Sequence, residues 1–231
     1  MEYADAHIHL TDPDISKYLP GDSCRLMFSC VARRSEWGMQ SSLAEPRAVR
    51  FYGIHPWYAD EWDPSIEKDL RGLLDMLPDV HVGEIGLDNK RGSQEIQMRA
   101  FYEQVRLASE FGRAVNVHNI GCDGDIVRIL KSEGKGCRSI IMHSFRTEPA
   151  QFSGLRCFFS LNPRILSRSN DKVRRLVSAI GRDRLLLETD APFYPGGTSL
   201  RSFIDSLSEI TGMEAEELAS LSLENARRAL E

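Results

Sequence analysis

The chain has 231 residues, 42% hydrophobic and 27% charged, with a formal net charge of −5. Such a composition buries a substantial core and excludes a disordered chain, while the acidic balance excludes the strongly basic footprint of a sequence-tolerant nucleic-acid binder. The five cysteines, Cys24, Cys30, Cys122, Cys137 and Cys157, are odd in number and form no CxxC pair, which argues against a disulfide framework and fits a reducing, cytoplasmic setting.

The opening MEYADAHIHL lacks the basic and apolar regions of a signal peptide. No apolar run approaches the ~18 residues that a membrane span needs. In chain order, short β-rich runs predict strands at Tyr3–Ile8, Arg25–Val31, Val49–Gly53, Val80–Ile85, Ala114–Val117, Ser139–Met142, Arg156–Ser160 and Leu185–Glu188. All but the second and sixth are followed by a clear helical pattern. That alternation predicts the α/β class, and eight units predict a single (β/α)8 TIM barrel spanning residues 1–231.

Two helices stand out. One runs from Ser65 to Leu77 and stops before Pro78. The other runs from Gln94 to Phe111, with Ser93 as its cap, Ile96, Ala100, Phe101, Gln104, Val105 and Ala108 on one face, and Gly112 as its stop. The Pro/Gly-rich segment Ala191–Thr198 reads as an active-site loop after the last strand. The tail, Glu214 to Glu231, reads as two short helices joined near Ser222, with Ser222 as a second N-cap.

Of six histidines, His7, His9, His55, His118 and His143 fall at or just beyond strand ends; His81 is the exception. A barrel places its chemistry on that carboxyl-end rim. In Asp5-Ala6-His7-Ile8-His9, residues two apart share a strand face, so His7 and His9 can bind one cation. Asp5, deeper on the same face, is a candidate acceptor for a ligand imidazole. Glu84 shares parity with Val82 and Val80, which points it into the barrel and turns His81 toward the helices. An inward carboxylate is costly unless cations bridge its oxygens. His118, His143 and Asp190 complete the ligand candidates, with Glu188 sharing the Asp190 face. Four carboxylates gathered at one rim repel one another, and divalent metal resolves that repulsion. The mixed nitrogen and oxygen donors suit Zn²⁺, Mn²⁺ or Mg²⁺.

At these residues the chain resembles the TatD family of metal-dependent deoxyribonucleases, within the amidohydrolase-like superfamily. The matches are DAHIHL (Asp5–Leu10), GIHPW (Gly53–Trp57), GEIGLD (Gly83–Asp88), VNVHN (Val115–Asn119), MHSF (Met142–Phe145) and LLETDAP (Leu186–Pro192). Gln97, Phe101 and Gln104 resemble the helix after strand four, and Glu224-Asn225-Ala226 the closing helix. The resemblance implies a two-metal site: His7, His9 and Asp190 for one ion, His118 and His143 for the other, Glu84 bridging. It puts His55 against the scissile group and Arg91 where many members carry an arginine. Three positions depart from the family pattern. Asn89 stands where an aromatic is frequent, Asn119 follows His118 in place of the usual sequence, and Asn116 is polar within a strand.

The implied reaction is two-metal hydrolysis of a phosphodiester, with Asp190 as ligand and general base, His55 and Arg91 on phosphate oxygens, and Trp57 available to stack on a base. Lys90 and Arg164 read as solvated rim charges. The acidic charge and a site in a pit at one barrel end favour single-stranded or frayed DNA ends, bound weakly and with salt sensitivity. The alternative is an amidohydrolase acting on a small C–N or ester substrate. Glu84, where such enzymes often carry a modified lysine, favours the phosphodiesterase.

Overall fold

The computed structural model describes residues 1–194 and 199–231. Eight parallel strands lie side by side in chain order: β1 (Tyr3–Ile8), β2 (Cys24–Cys30), β3 (Ala48–Tyr52), β4 (His81–Asp88), β5 (Val115–Ile120), β6 (Ile140–Met142), β7 (Cys157–Leu161) and β8 (Leu185–Leu187). Each predicted strand is present, with bounds moved by a few residues. The helices are α1 (Trp37–Ser41), α2 (Pro64–Met76), α3 (Gln94–Glu110), α4 (Asp123–Glu133), α5 (Asn170–Ile180), α6 (Leu200–Thr211) and α7 (Ala215–Leu230). After β1, where a helical pattern was expected, there is only a 3-10 turn at Ile15–Lys17; after β6 there is likewise a 3-10 turn, Pro149–Phe152. Among the described residues no helix is long and apolar enough to cross a membrane.

Local chemistry accounts for the helix ends. The Asp63 carboxylate caps α2 by accepting from the Ser65 and Ile66 N–H groups, and Pro64 fits the first helical position. Ser93, expected to cap α3, makes no side-chain capping bond. The buried glutamines of α3 do different work. Gln104 accepts from the Ile54 N–H and donates to the Ile54 carbonyl, while Gln97 accepts from the Asp88 N–H. The helix thereby fixes the ends of β3 and β4, where His55 and Asp88 stand.

Two buried clusters divide the core. The larger lies between the strands and the helices. The smaller joins Ala4, Ala6, Phe28, Cys30, Phe51, Ala114, Ile141, Phe158 and Leu186 to Leu223, Ala226 and Ala229 of α7, and takes nothing from α1–α6: it fills the barrel interior. His81 packs its ring 5.1 Å from that of Phe51, and its Nδ1 accepts from the Ala114 N–H. So His81 faces inward, against the parity expectation, and Val82 lies in the outer cluster with Leu70 and Leu74. The reason is a register shift of β4 against β5 between Val82 and Ile85, which breaks the alternation and returns Glu84 to the inner face. Glycine is required within it and just beyond it. A Cβ on Gly83 would stand 2.8 Å from Asn116 Cβ, and one on Gly86 1.9 Å from the His118 carbonyl oxygen.

The barrel closes unevenly. β1 and β8 meet only at their carboxyl ends, where Ile8 bridges Ala191, the Asp190 N–H donates to the His7 carbonyl and the His9 N–H to the Ala191 carbonyl. Lower down, α7 supplies the missing partners. The Leu187 N–H donates to Ser222 Oγ, and Asn225 Nδ2 donates to the Leu185 carbonyl. The tail is therefore one continuous helix, and the expected break at Ser222 is absent: that side chain serves the β1–β8 seam. Of the expected Ala191–Thr198 loop, Ala191–Tyr194 border the rim beside His9 and Asp190, and the remainder lies outside the described residues.

Candidate metal centre

Five histidines and two carboxylates converge at the carboxyl ends of the strands. Glu84 stands in the middle, and its two oxygens face different partners. Oε2 lies 3.4 Å from His7 Nε2 and 3.5 Å from His9 Nε2. Oε1 lies 3.0 Å from His118 Nδ1, 3.2 Å from His143 Nε2 and 3.4 Å from His55 Nε2. Asp190 presents Oδ1 to the first group, 3.9 Å from His7 Nε2 and 3.8 Å from His9 Nε2. It does so from a left-handed backbone at φ 57°, a conformation that aspartate tolerates better than most residues. All six expected ligands, His7, His9, Glu84, His118, His143 and Asp190, are thus brought together, and all but His118 are fully buried.

Hydrogen bonds at the outward nitrogen fix the tautomers of His7 and His143. Asn116 Nδ2 donates to the Ala6 carbonyl, so its Oδ1 must accept from His7 Nδ1, 2.9 Å away. His143 Nδ1 donates to Glu188 Oε1 at 3.1 Å, and His118 Nε2 faces Asp88 Oδ2 at 3.5 Å. His7 Nε2 and His143 Nε2 therefore turn lone pairs toward the Glu84 carboxylate. A lone pair facing a carboxylate oxygen at such a distance needs a cation between them. Ligands about 2.1 Å from a tetrahedral zinc lie roughly 3.4 Å apart, which is the spacing found here. His55 differs. Its Nδ1 accepts from the Trp57 N–H at 3.2 Å, which leaves the proton on Nε2 and makes that atom a donor, not a ligand.

Burial and the neighbouring charges shift these groups in both directions. Burial pushes the Glu84 carboxyl up, but His55, His143 and His7 overcome it and hold it well below the usual range. Burial, then His7, lowers His9 to about 4. His143 rises to about 9: burial and His7 oppose, and Glu84 and Glu188 prevail. Burial raises Asp5 to about 7 against the bonds it accepts from Thr189.

Known proteins resemble the chain along most of its length. The family model described as TatD-related DNase matches residues 4–231. The chain belongs to that family. Among its relatives, the metal-dependent hydrolase YabD of Bacillus subtilis is 30% identical over 195 residues, covering 77% of this chain and 76% of that one. A protein of Erwinia tasmaniensis named 3'-5' ssDNA/RNA exonuclease TatD is 32% identical over 195 residues, covering 76% and 75%. The solved structure of YJJV, a TatD homolog from Escherichia coli K12, superposes with a TM-score of 0.83 at 23% identity, over 98% of this chain and 97% of that one, and shares the fold. This chain is a metal-dependent hydrolase of the TatD type.

Around the TatD centre, several residues stand elsewhere than the sequence indicated. Asp5 does not meet the His7 ring. Its carboxylate accepts from the Thr189 N–H and Oγ1 and from the His7 backbone, and Asn116 takes the expected place. Glu188 accepts from His143, from the Ser144 N–H and from Asn162 Nδ2, so it orients the His143 ring. Trp57 is 43% exposed at the rim, but the Arg91 guanidinium lies 3.9 Å over its ring, and its Nε1 donates to Asp88 Oδ2. Arg91 and Trp57 form one unit with one aromatic face already covered. Arg164 is no solvated charge: it pairs with Asp190 Oδ2 and donates to the Phe193 carbonyl. The sequence held a signal for Asp88, four residues beyond Glu84 on the same strand; it held none for Arg164, which meets Asp190 only because β7 and β8 are neighbours.

Proposed function

We propose that this TatD-family hydrolase cleaves phosphodiester bonds at the ends of single-stranded nucleic acid, at a two-cation centre. His7, His9 and Asp190 would hold one ion and His118 and His143 the other, with Glu84 as the carboxylate common to both. The observation that carries this reading is Glu84, each of whose oxygens faces a separate set of imidazole nitrogens. When bound, two divalent ions, Zn²⁺, Mn²⁺ or Mg²⁺, acidify a water and offset charge on the attacked and leaving oxygens.

The chain's own groups supply the rest. The oxygen of water bonds to phosphorus as the bond from phosphorus to the leaving oxygen breaks. Asp190 takes the water proton, and solvent returns one to the leaving oxygen. His55 Nε2–H donates to a phosphate oxygen, and Arg91 with Trp57 lines the opposite rim. Asp88, Asn116 and Glu188 orient ligand rings, which sharpens metal affinity. The Erwinia relative is named a 3'-5' exonuclease on single-stranded DNA and RNA, which points the same way. Five free cysteines fit a reducing cytoplasm.

The test is cleavage of single-stranded, blunt duplex and closed circular DNA at two salt concentrations, with metal titrated and a chelator control. Single strands should be degraded from an end only with metal present. Efficient cutting of closed circles would overturn end dependence. Turnover of a small amide or ester with no cutting of nucleic acid would move the protein to the amidohydrolase reading.

A further inference from the structure

On the β6–β8 side of the centre lies a cavity of about 490 Å³, lined by Arg146, Pro163, Arg164, Leu166, Ser167 and Tyr194. That volume falls within the range of ligand pockets. Its walls come from the loops after β6, β7 and β8, so it opens on the same rim as Glu84 and Asp190. We propose that it is a second phosphate subsite, taking the phosphate that neighbours the scissile one. The proposal rests on the phosphodiesterase reading above.

Three features carry it. Arg164 joins the cavity to the centre, because one nitrogen pairs with Asp190 Oδ2 while the guanidinium also lies 5.5 Å from the Tyr194 ring. Arg146 lines the same space without a hydrogen bond or ion pair among the described residues. Arg146 is exposed at the rim, and its charge is disfavoured there by desolvation and by the charges of Arg164 and Arg168, with Asp190 acting the other way. In a chain of net charge −5, positive groups crowd here around one carboxylate already engaged by Arg164. An anion with several acceptor oxygens relieves that crowding, and guanidinium groups match phosphate geometry. The Tyr194 ring adds a face for the intervening base.

A substrate with a single phosphate cannot fill both positions. The experiment compares a dinucleotide holding one phosphodiester with the same dinucleotide bearing a further phosphate at its 5′ or its 3′ end. The intact enzyme should cleave one of the phosphorylated forms with kcat/KM about ten-fold higher, chiefly through KM. Arg146→Ala should erase that preference, and Arg146→Lys, which keeps charge without the planar fork, should retain part of it. A thermal melt confirms that both variants fold. Equal kcat/KM for all three dinucleotides, or a preference that survives Arg146→Ala, would overturn the subsite alone. Cleavage of none of them by the intact, metal-loaded enzyme would overturn the phosphodiesterase reading and the subsite with it.

Discussion

The Asn116 side chain selects the proton on His7. With its amide turned by the Ala6 carbonyl, it leaves His7 Nε2 as a lone pair aimed into the centre. Asn116→Ala should weaken metal binding about 10- to 100-fold, measured by calorimetric titration, since loss of an outer partner of a ligand histidine has effects of that order. Unchanged affinity would show that the tautomer is set elsewhere. His55 calls for the opposite outcome. As a donor it should be dispensable for metal, so His55→Ala should keep metal content while kcat falls about 100-fold; metal loss by elemental analysis would make it a ligand. The ligand candidates were legible because histidine and carboxylate recur at strand ends, two apart or after a glycine. Their partners were not. An asparagine in a strand reads only as a departure from the apolar pattern, and an arginine at a rim only as a solvated charge, until the cross-barrel neighbour is known, and Asn116 meets His7 across 109 residues of sequence.

Among the elements, β4 and α7 behave least as their patterns suggest. Apolar alternation reads β4 as regular, yet its register shift turns both His81 and Glu84 inward, and nothing in local composition marks the slip beyond Gly83 and Gly86. In α7, a serine within a helical stretch reads as a cap. Its true function is to accept from the Leu187 N–H where β1 has drawn away. Ser222→Ala should leave that buried N–H unpaired and destabilise the protein by about 1–3 kcal/mol, read from the urea midpoint at constant slope. A change within experimental scatter would mean that water replaces the hydroxyl. The strands themselves, in number, order and approximate bounds, were legible because each is a short β-rich run separated by turn residues and helical periodicity.

Across the whole molecule, a distinct part of the acid sensitivity should trace to His81, which stands away from the metal centre. Burial first, then Arg138 and Arg113, lowers its pKa to about 3 from an ordinary 6.5. The folded state therefore holds His81 neutral while the unfolded chain protonates it below 6.5. Its contribution is complete above pH 6.5 and is lost as pH falls toward 3, at up to about 1.4 kcal/mol per pH unit. His81→Asn keeps an acceptor for the Ala114 N–H but cannot titrate, so its stability should fall less steeply between pH 6.5 and 4. Parallel pH profiles for the two proteins would overturn that assignment. The seam between β1 and β8 gives the molecule a clasp. His7 and His9 stand on one side of it and Asp190 on the other, so an ion held by all three ties together the first and last strands. Chelation should then speed amide exchange in β1, β8 and α7 ahead of β3–β6, and uniform acceleration would contradict it. The same arrangement sets an order on biosynthesis. His7 and His9 are synthesised before the intervening strands and Asp190 after them, so an emerging chain has no finished centre until β8 has met β1.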